Sequence, residues 1–139
     1  MSIRLAFVDD YDVSQKVFAG LFAQIPDVEV VAVCGSGEHL LSQLDDVEID
    51  VAVVDLIMPG MDGVETIAAI KKIKPAIHCI GISSYDREEI LLQMVDSGAT
   101  GYLSKEVNMQ EYHKAITEVM KGNTHFPETL QALLRNREA

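Results

Sequence analysis

The sequence predicts an α/β domain in which a five-stranded parallel sheet is doubly wound, with helices on both faces. Three observations carry this. Short apolar bursts alternate with stretches of helical period along nearly all of the chain, the rhythm that βα units produce when both faces of a sheet are covered. Turn residues punctuate the alternation where helices should stop. Polar side chains gather at the carboxyl ends of the predicted strands, where open parallel sheets bind their ligands.

Strands are predicted at 3–9, 29–34, 51–55, 78–83 and 101–104, and helices at 13–24, 38–45, 64–74, 87–97 and 109–121. The first helix rests on Val13, Val17, Leu21 and Ile25, spaced every four residues, and the third on Val64, Ile67, Ala68 and the run 70–73. Each pattern gives one apolar face. Pro26 and Pro75 follow the first and third helices, while Gly98 and Gly122 stand where C-caps belong. Five units are too few to close an eight-stranded barrel, so the sheet is open. In the fourth helix Ile90, Leu91, Leu92, Met94 and Val95 span a wider arc than one core contact needs, with Leu92 the outlier. That excess fits either an interaction surface or a broader core contact.

The chain has 139 residues, 48% of them hydrophobic, with 22 acidic and 11 basic side chains for a net charge of −11. This suits one globular domain. The acidic excess repels phosphate backbones and anionic lipid, so DNA contact would require another domain. The longest stretch free of Asp, Glu, Lys and Arg, 75–85, is about half a bilayer span, and the N-terminal residues leave no room for a signal-peptide core. A cytoplasmic location without membrane attachment is expected. Cys34 and Cys79 have no metal-ligand spacing and read as buried free thiols. His39, His78, His113 and His125 likewise suggest no metal site.

The chemistry lies at the strand ends. Asp9 and Asp10 close the first strand, Asp55 the third, Ser83 the fourth, and Lys105 follows the fifth. Were the first and third strands neighbours, three carboxylates would converge, and their repulsion would call for protonation or a cation. An all-oxygen donor set with room for water suits Mg2+. The Lys105 ammonium and Ser83 hydroxyl can both bind phosphoryl oxygens, and Asp55, being central, is the natural nucleophile for phosphoryl transfer. The segment 58–63, Met-Pro-Gly-Met-Asp-Gly, reads as a rigid turn at the pocket rim, with Pro59 fixing φ and two glycines permitting positive φ. Met58 and Met61 read as packing residues.

Asp9-Asp10, the segment 53–63 around Asp55, Ser83, and the segment 98–105 ending in Lys105 together resemble the receiver domain of bacterial two-component response regulators. The resemblance covers about residues 3–122. It implies a flavodoxin-like (βα)5 fold with strand order 2-1-3-4-5, in which Cys34 and Cys79 lie too far apart to bond. It implies that Asp55 accepts a phosphoryl group from a histidine kinase, that Asp10, Asp55 and the carbonyl of Ile57 ligate Mg2+, and that Asp9 acts through water. Lys105 and Ser83 would bind phosphoryl oxygens. Ser83 would be drawn inward by the dianion, vacating space for the ring of Tyr102, the proposed switch. Ile57 and Tyr85 occupy positions that tune autodephosphorylation in the family, and their bulk predicts a slow rate. The surface of the fourth helix, fifth strand and fifth helix is implied as a phosphorylation-dependent homodimer face. Gly101-Tyr102-Leu103 before Lys105, and Glu106 where many receivers have Pro, are similar to the subfamily with a C-terminal helix-turn-helix.

Residues 1–122 are thus expected to form the receiver and 123–139 a C-terminal linker with a short helix around Leu130, Leu133 and Leu134, whose uncapped end fits either a frayed terminus or a chain cut ahead of an output domain. The expected role is a signalling phosphoacceptor, not an enzyme, that controls transcription. The alternative is a stand-alone phosphoryl shuttle. A haloacid-dehalogenase-type enzyme also uses a strand-end Asp with Mg2+, but it needs an acid two residues later, where Ile57 stands.

Overall fold

The computed structural model describes residues 2–84 and 87–138. The elements are β1 (Ile3–Val8), α1 (Asp12–Phe22), β2 (Val28–Cys34), α2 (Gly37–Gln43), β3 (Val51–Asp55), α3 (Gly63–Ile73), β4 (His78–Ser83), α4 (Glu88–Asp96), β5 (Gly101–Ser104), α5 (Met109–Met120) and α6 (Glu128–Glu138). All five strands are parallel, in the order β2-β1-β3-β4-β5. The predicted units are present, with ends shifted by one or two residues.

Side chains alternate along each strand, so the sheet has two cores. Leu5, Phe7, Val51, Val53, Ile80, Ile82 and Leu103 face α1 and α5 and meet Phe22, Tyr112, Ile116 and Val119. Ala6, Val8, Ala52, Val54 and Cys79 face the other side, with Leu40, Ile67, Ile70, Leu91, Met94 and Leu130. Phe7, Phe18, Phe22 and Tyr112 form an aromatic cluster with centroid separations from 5.2 to 6.0 Å. Phe7, Phe22 and Tyr112 are fully buried, and each such ring stabilises the fold by roughly 1.5–3 kcal/mol. Cys34 and Cys79 are buried free thiols, and burial pushes them up to about 11 and about 12.

Three sequence expectations need correction. On α1 the apolar face is not the Val13–Val17 stripe: these residues are 56% and 51% exposed, while Phe18 and Phe22 pack inward. Aromatic rings half a turn away outcompete the valines because they bury more surface. On α3 the buried face is narrower than expected, comprising Thr66, Ile67 and Ile70, with Ile73 half exposed. In the 58–63 turn, Gly60 has positive φ (71°) but Gly63 does not. Gly63 is needed for close approach, since a Cβ there would lie 2.2 Å from the Asp55 carbonyl oxygen and 2.5 Å from the Leu56 Cα.

The segment after α5 is docked rather than free. Gly122 (φ 89°) turns the chain back toward the sheet, where His125 pairs alongside Gly101. Its N–H donates to the Thr100 carbonyl and its carbonyl accepts from the Tyr102 N–H, both at 2.9 Å. α6 then lies against α4. Leu130 is fully buried, and Phe126, Leu133 and Leu134 pack on the same core as Leu92. The wide apolar arc of α4 thus has an intramolecular partner, which a reading of α4 alone could not supply.

Candidate functional site: a strand-end acidic cluster

Strand register builds the site. β1 and β3 pair with Val8 opposite Val54, so the next residues, Asp9 and Asp55, leave the sheet at one level. β4 pairs with β3 through Ile82 opposite Asp55 and with β5 through Ser104 opposite Ser83. Ser83 and Lys105 are thereby brought to the same rim. α3 starts immediately beyond. Its capping box joins Asp62 and Glu65 through reciprocal main-chain bonds of 2.8 and 3.1 Å, and the Gly63 N–H donates to the Leu56 carbonyl at 3.1 Å. Met58 is 7% exposed, consistent with packing.

The charges interlock. Lys105 Nζ lies 2.8 Å from Asp9 Oδ2 and 3.0 Å from Asp55 Oδ2. The other oxygen of each acid accepts a main-chain N–H: Tyr11 to Asp9 at 2.9 Å, and Ile57 to Asp55 at 3.0 Å. Asp9 is fully buried and Asp55 is 5% exposed, whereas Asp10 is exposed. One oxygen from each of Asp9, Asp10 and Asp55 lies within 4.8 Å of the others. A cleft of about 160 Å³ opens beside them, lined by Asp55, Ile57, Ser83, Ser84 and Lys105.

Burial pushes the Asp55 carboxyl above its ordinary range; the Lys105 and Ile57 hydrogen bonds oppose this, and the Asp9 charge adds to it. For Lys105, burial alone would lower the pKa, but the bonds to Asp9 and Asp55 outweigh it and hold the ammonium charged. The two directions are compatible because two carboxylates share one ammonium. Three hard oxygen donors, one each from Asp9, Asp10 and Asp55, fit a small divalent cation, and the half-exposed Ile57 side chain flanks the cleft beside Asp55.

The structure therefore brings together Asp9, Asp10, Asp55, Ser83, Lys105 and the Ile57 main chain. Tyr102 is 2% exposed, its hydroxyl 3.5 Å from the Ser83 carbonyl. Tyr102, expected from the sequence to respond to Ser83, is thus buried and tied through its hydroxyl to the Ser83 main chain. Tyr85 lies outside the described residues. Sequence reasoning missed Gln15, whose Nε2 donates to the Asp9 carbonyl at 2.7 Å and braces the turn after β1. A lone helical Gln carries no motif that would have revealed it. It also missed Tyr112, buried on α5, whose hydroxyl approaches the Ser104 carbonyl at 3.5 Å beside Lys105.

Comparison with known proteins agrees with this geometry. Residues 5–117 match the family described as response regulator receiver domain. Response regulator protein VraR of Staphylococcus epidermidis is 28% identical over 137 residues, covering 99% of this chain and 66% of VraR. The chain thus spans about two thirds of the length of such relatives. The signal receiver domain of the putative response regulator NarL from Mycobacterium tuberculosis superposes with a TM-score of 0.81 at 29% identity, over 88% of this chain and 98% of that one. The isolated receiver domain of RcsB from Salmonella enterica, solved with a beryllofluoride phosphomimetic, gives 0.83 at 25% identity over 96% and 99%. A LuxR-family response regulator from Aurantimonas gives 0.89 over the whole of both chains at 23% identity, a likeness of fold. With a receiver match across most of its length and the acidic cluster at the strand ends, the chain belongs to the response regulator receiver family.

Proposed function

We propose that Asp55 accepts a phosphoryl group from a phosphohistidine of a sensor kinase, and that the resulting acyl phosphate controls an output. The observation that carries this reading is the pairing of Asp9 and Asp55 across one Lys105 ammonium beside an open cleft. A carboxylate oxygen of Asp55 attacks phosphorus as the phosphorus–nitrogen bond breaks, and the leaving imidazole takes up a proton. Lys105 and the Ser83 hydroxyl receive phosphoryl oxygens. Asp10, Asp55 and the Ile57 carbonyl are the residues that would hold Mg2+ directly, with Asp9 acting through water. The ion supplies charge neutralisation for the incoming dianion. Little covalent chemistry is asked of the protein beyond positioning, so the role is that of a phosphoacceptor acting on itself.

The output proposed is transcription, through a DNA-binding domain beyond residue 139 and a homodimer through α4-β5-α5. The length of the VraR relatives and the description of RcsB as dimers bound to DNA support it. Among the described residues no helix is long and apolar enough to cross a membrane, and a cytoplasmic setting suits this role. The test is incubation with Mg2+ and acetyl phosphate followed by mass measurement. One acid- and base-labile phosphate should appear on the chain and be missing from Asp55→Ala. Equal labelling of both, or none in the presence of millimolar Mg2+, overturns the reading.

A further inference from the structure

The C-terminal segment is attached to β5, which carries Tyr102, and to α4, the helix that follows Ser83. On one side, its only main-chain pairing with the sheet among the described residues is His125 with Thr100 and Tyr102, and Tyr102 reaches the Ser83 carbonyl through its hydroxyl. On the other, α6 rests on α4, which begins at Glu88 a few residues after Ser83. α4 sits tightly on β4, since a Cβ at Gly81 would meet Met94 Sδ at 2.4 Å. A rearrangement at Ser83 thus reaches both supports of the segment.

The attachment is of a kind that can open. α6 has 11 residues, too few for a helix to persist undocked. It hangs from Gly122, in the left-handed region at φ 89°. Its polar ties are exposed ion pairs, Arg137 with Asp96 at 3.0 Å and the internal Arg135 with Glu128 at 2.6 Å, together with His125 against Glu111 at 2.8 Å. Its apolar hold is the buried Leu130 with Phe126, Leu133 and Leu134. Peripheral elements held by few contacts open first.

We propose that residues 123–138 form a releasable strap over the α4–β5 face, displaced when Asp55 carries a phosphoryl group. The inference rests on the phosphoacceptor reading of Asp55. It adds that the chain's own tail occupies the face expected to dimerise, so pairing through that face requires the strap to leave.

The test is hydrogen exchange by mass spectrometry on the full chain with Mg2+, with and without beryllofluoride, while fluorine NMR reports whether the mimic is bound. Peptides spanning 126–138 should exchange about tenfold faster in the bound state, with β1 and β3 unchanged. Asp55→Ala should show no response. Leu130→Ala should exchange quickly in both states, and Phe126→Ala serves the same purpose if protection in β1 and β3 shows that the first variant has lost its fold. Bound beryllofluoride with unaltered exchange across α6 overturns the strap and leaves the phosphoacceptor reading standing. Failure to bind the mimic overturns both.

Discussion

Replacing Lys105 by Met removes the ammonium that two buried carboxylates share while retaining most of the aliphatic stem. Its contacts of 2.8 Å to Asp9 and 3.0 Å to Asp55 each represent roughly 5–6 kcal/mol of gross attraction at an effective dielectric near 20. Desolvation of the ammonium offsets much of this in the native protein. Removing one partner of a buried pair costs about 3–5 kcal/mol, because the remaining charge loses compensation. The Lys105 side chain is 17% exposed, so water reaches the site and the lower end applies, about 3 kcal/mol. For a chain of this length that lowers the melting temperature by about 10 °C. The distinguishing feature is the metal dependence. With the ammonium gone, a divalent cation among the same oxygens restores the missing charge and stabilises by about 2.7 kcal/mol at a hundredfold excess over its dissociation constant. In the native protein the cation shares those oxygens with Lys105, so its effect is smaller. Urea unfolding of both proteins across a Mg2+ series, with Ca2+ as a control, reads this directly. Parallel stability curves for variant and native protein, or a deficit under about 1 kcal/mol without metal, would refute the electrostatic account.

Three further outcomes are expected. Gly63→Ala places a Cβ against the main chain of Asp55 and Leu56; a loss of about 2–3 kcal/mol in chemical denaturation and weaker Mg2+ uptake by calorimetry should follow, and unchanged values for both would show that the close approach is dispensable. The Arg4 hydrogen bond holds Asp50 below the usual carboxylate range, so its contribution is present above the unfolded value of 3.8 and is lost as pH falls through the lowered one. Arg4→Met should therefore differ most from the native protein near neutrality and converge with it in acid; a difference independent of pH contradicts the pairing. Ile57, 45% exposed beside Asp55, should hinder an attacking water, so the phosphorylated form should decay over minutes or longer and faster in Ile57→Asn. A native lifetime of seconds, measured by phosphate release, removes that role.

Much of this protein was legible in its sequence because the relevant signals are local. Period-two bursts and helical stripes are written in consecutive side chains, so the five βα units, and Asp9, Asp10, Asp55, Ser83 and Lys105 at strand ends, could be located before any coordinate was known. The strand order came from resemblance to a family, because crossover geometry leaves no mark on a single strand. What only the tertiary structure decided depends on competition between distant segments. Phe18 and Phe22 displaced Val13 and Val17 from the core because they found Phe7 and Tyr112. Gly63 is required by the Asp55 carbonyl above it rather than by its own φ. The apolar arc of α4 was ambiguous until α6, more than thirty residues further on, folded back to cover it. Burial is a property of pairs of surfaces, and a sequence states only one member of each pair at a time.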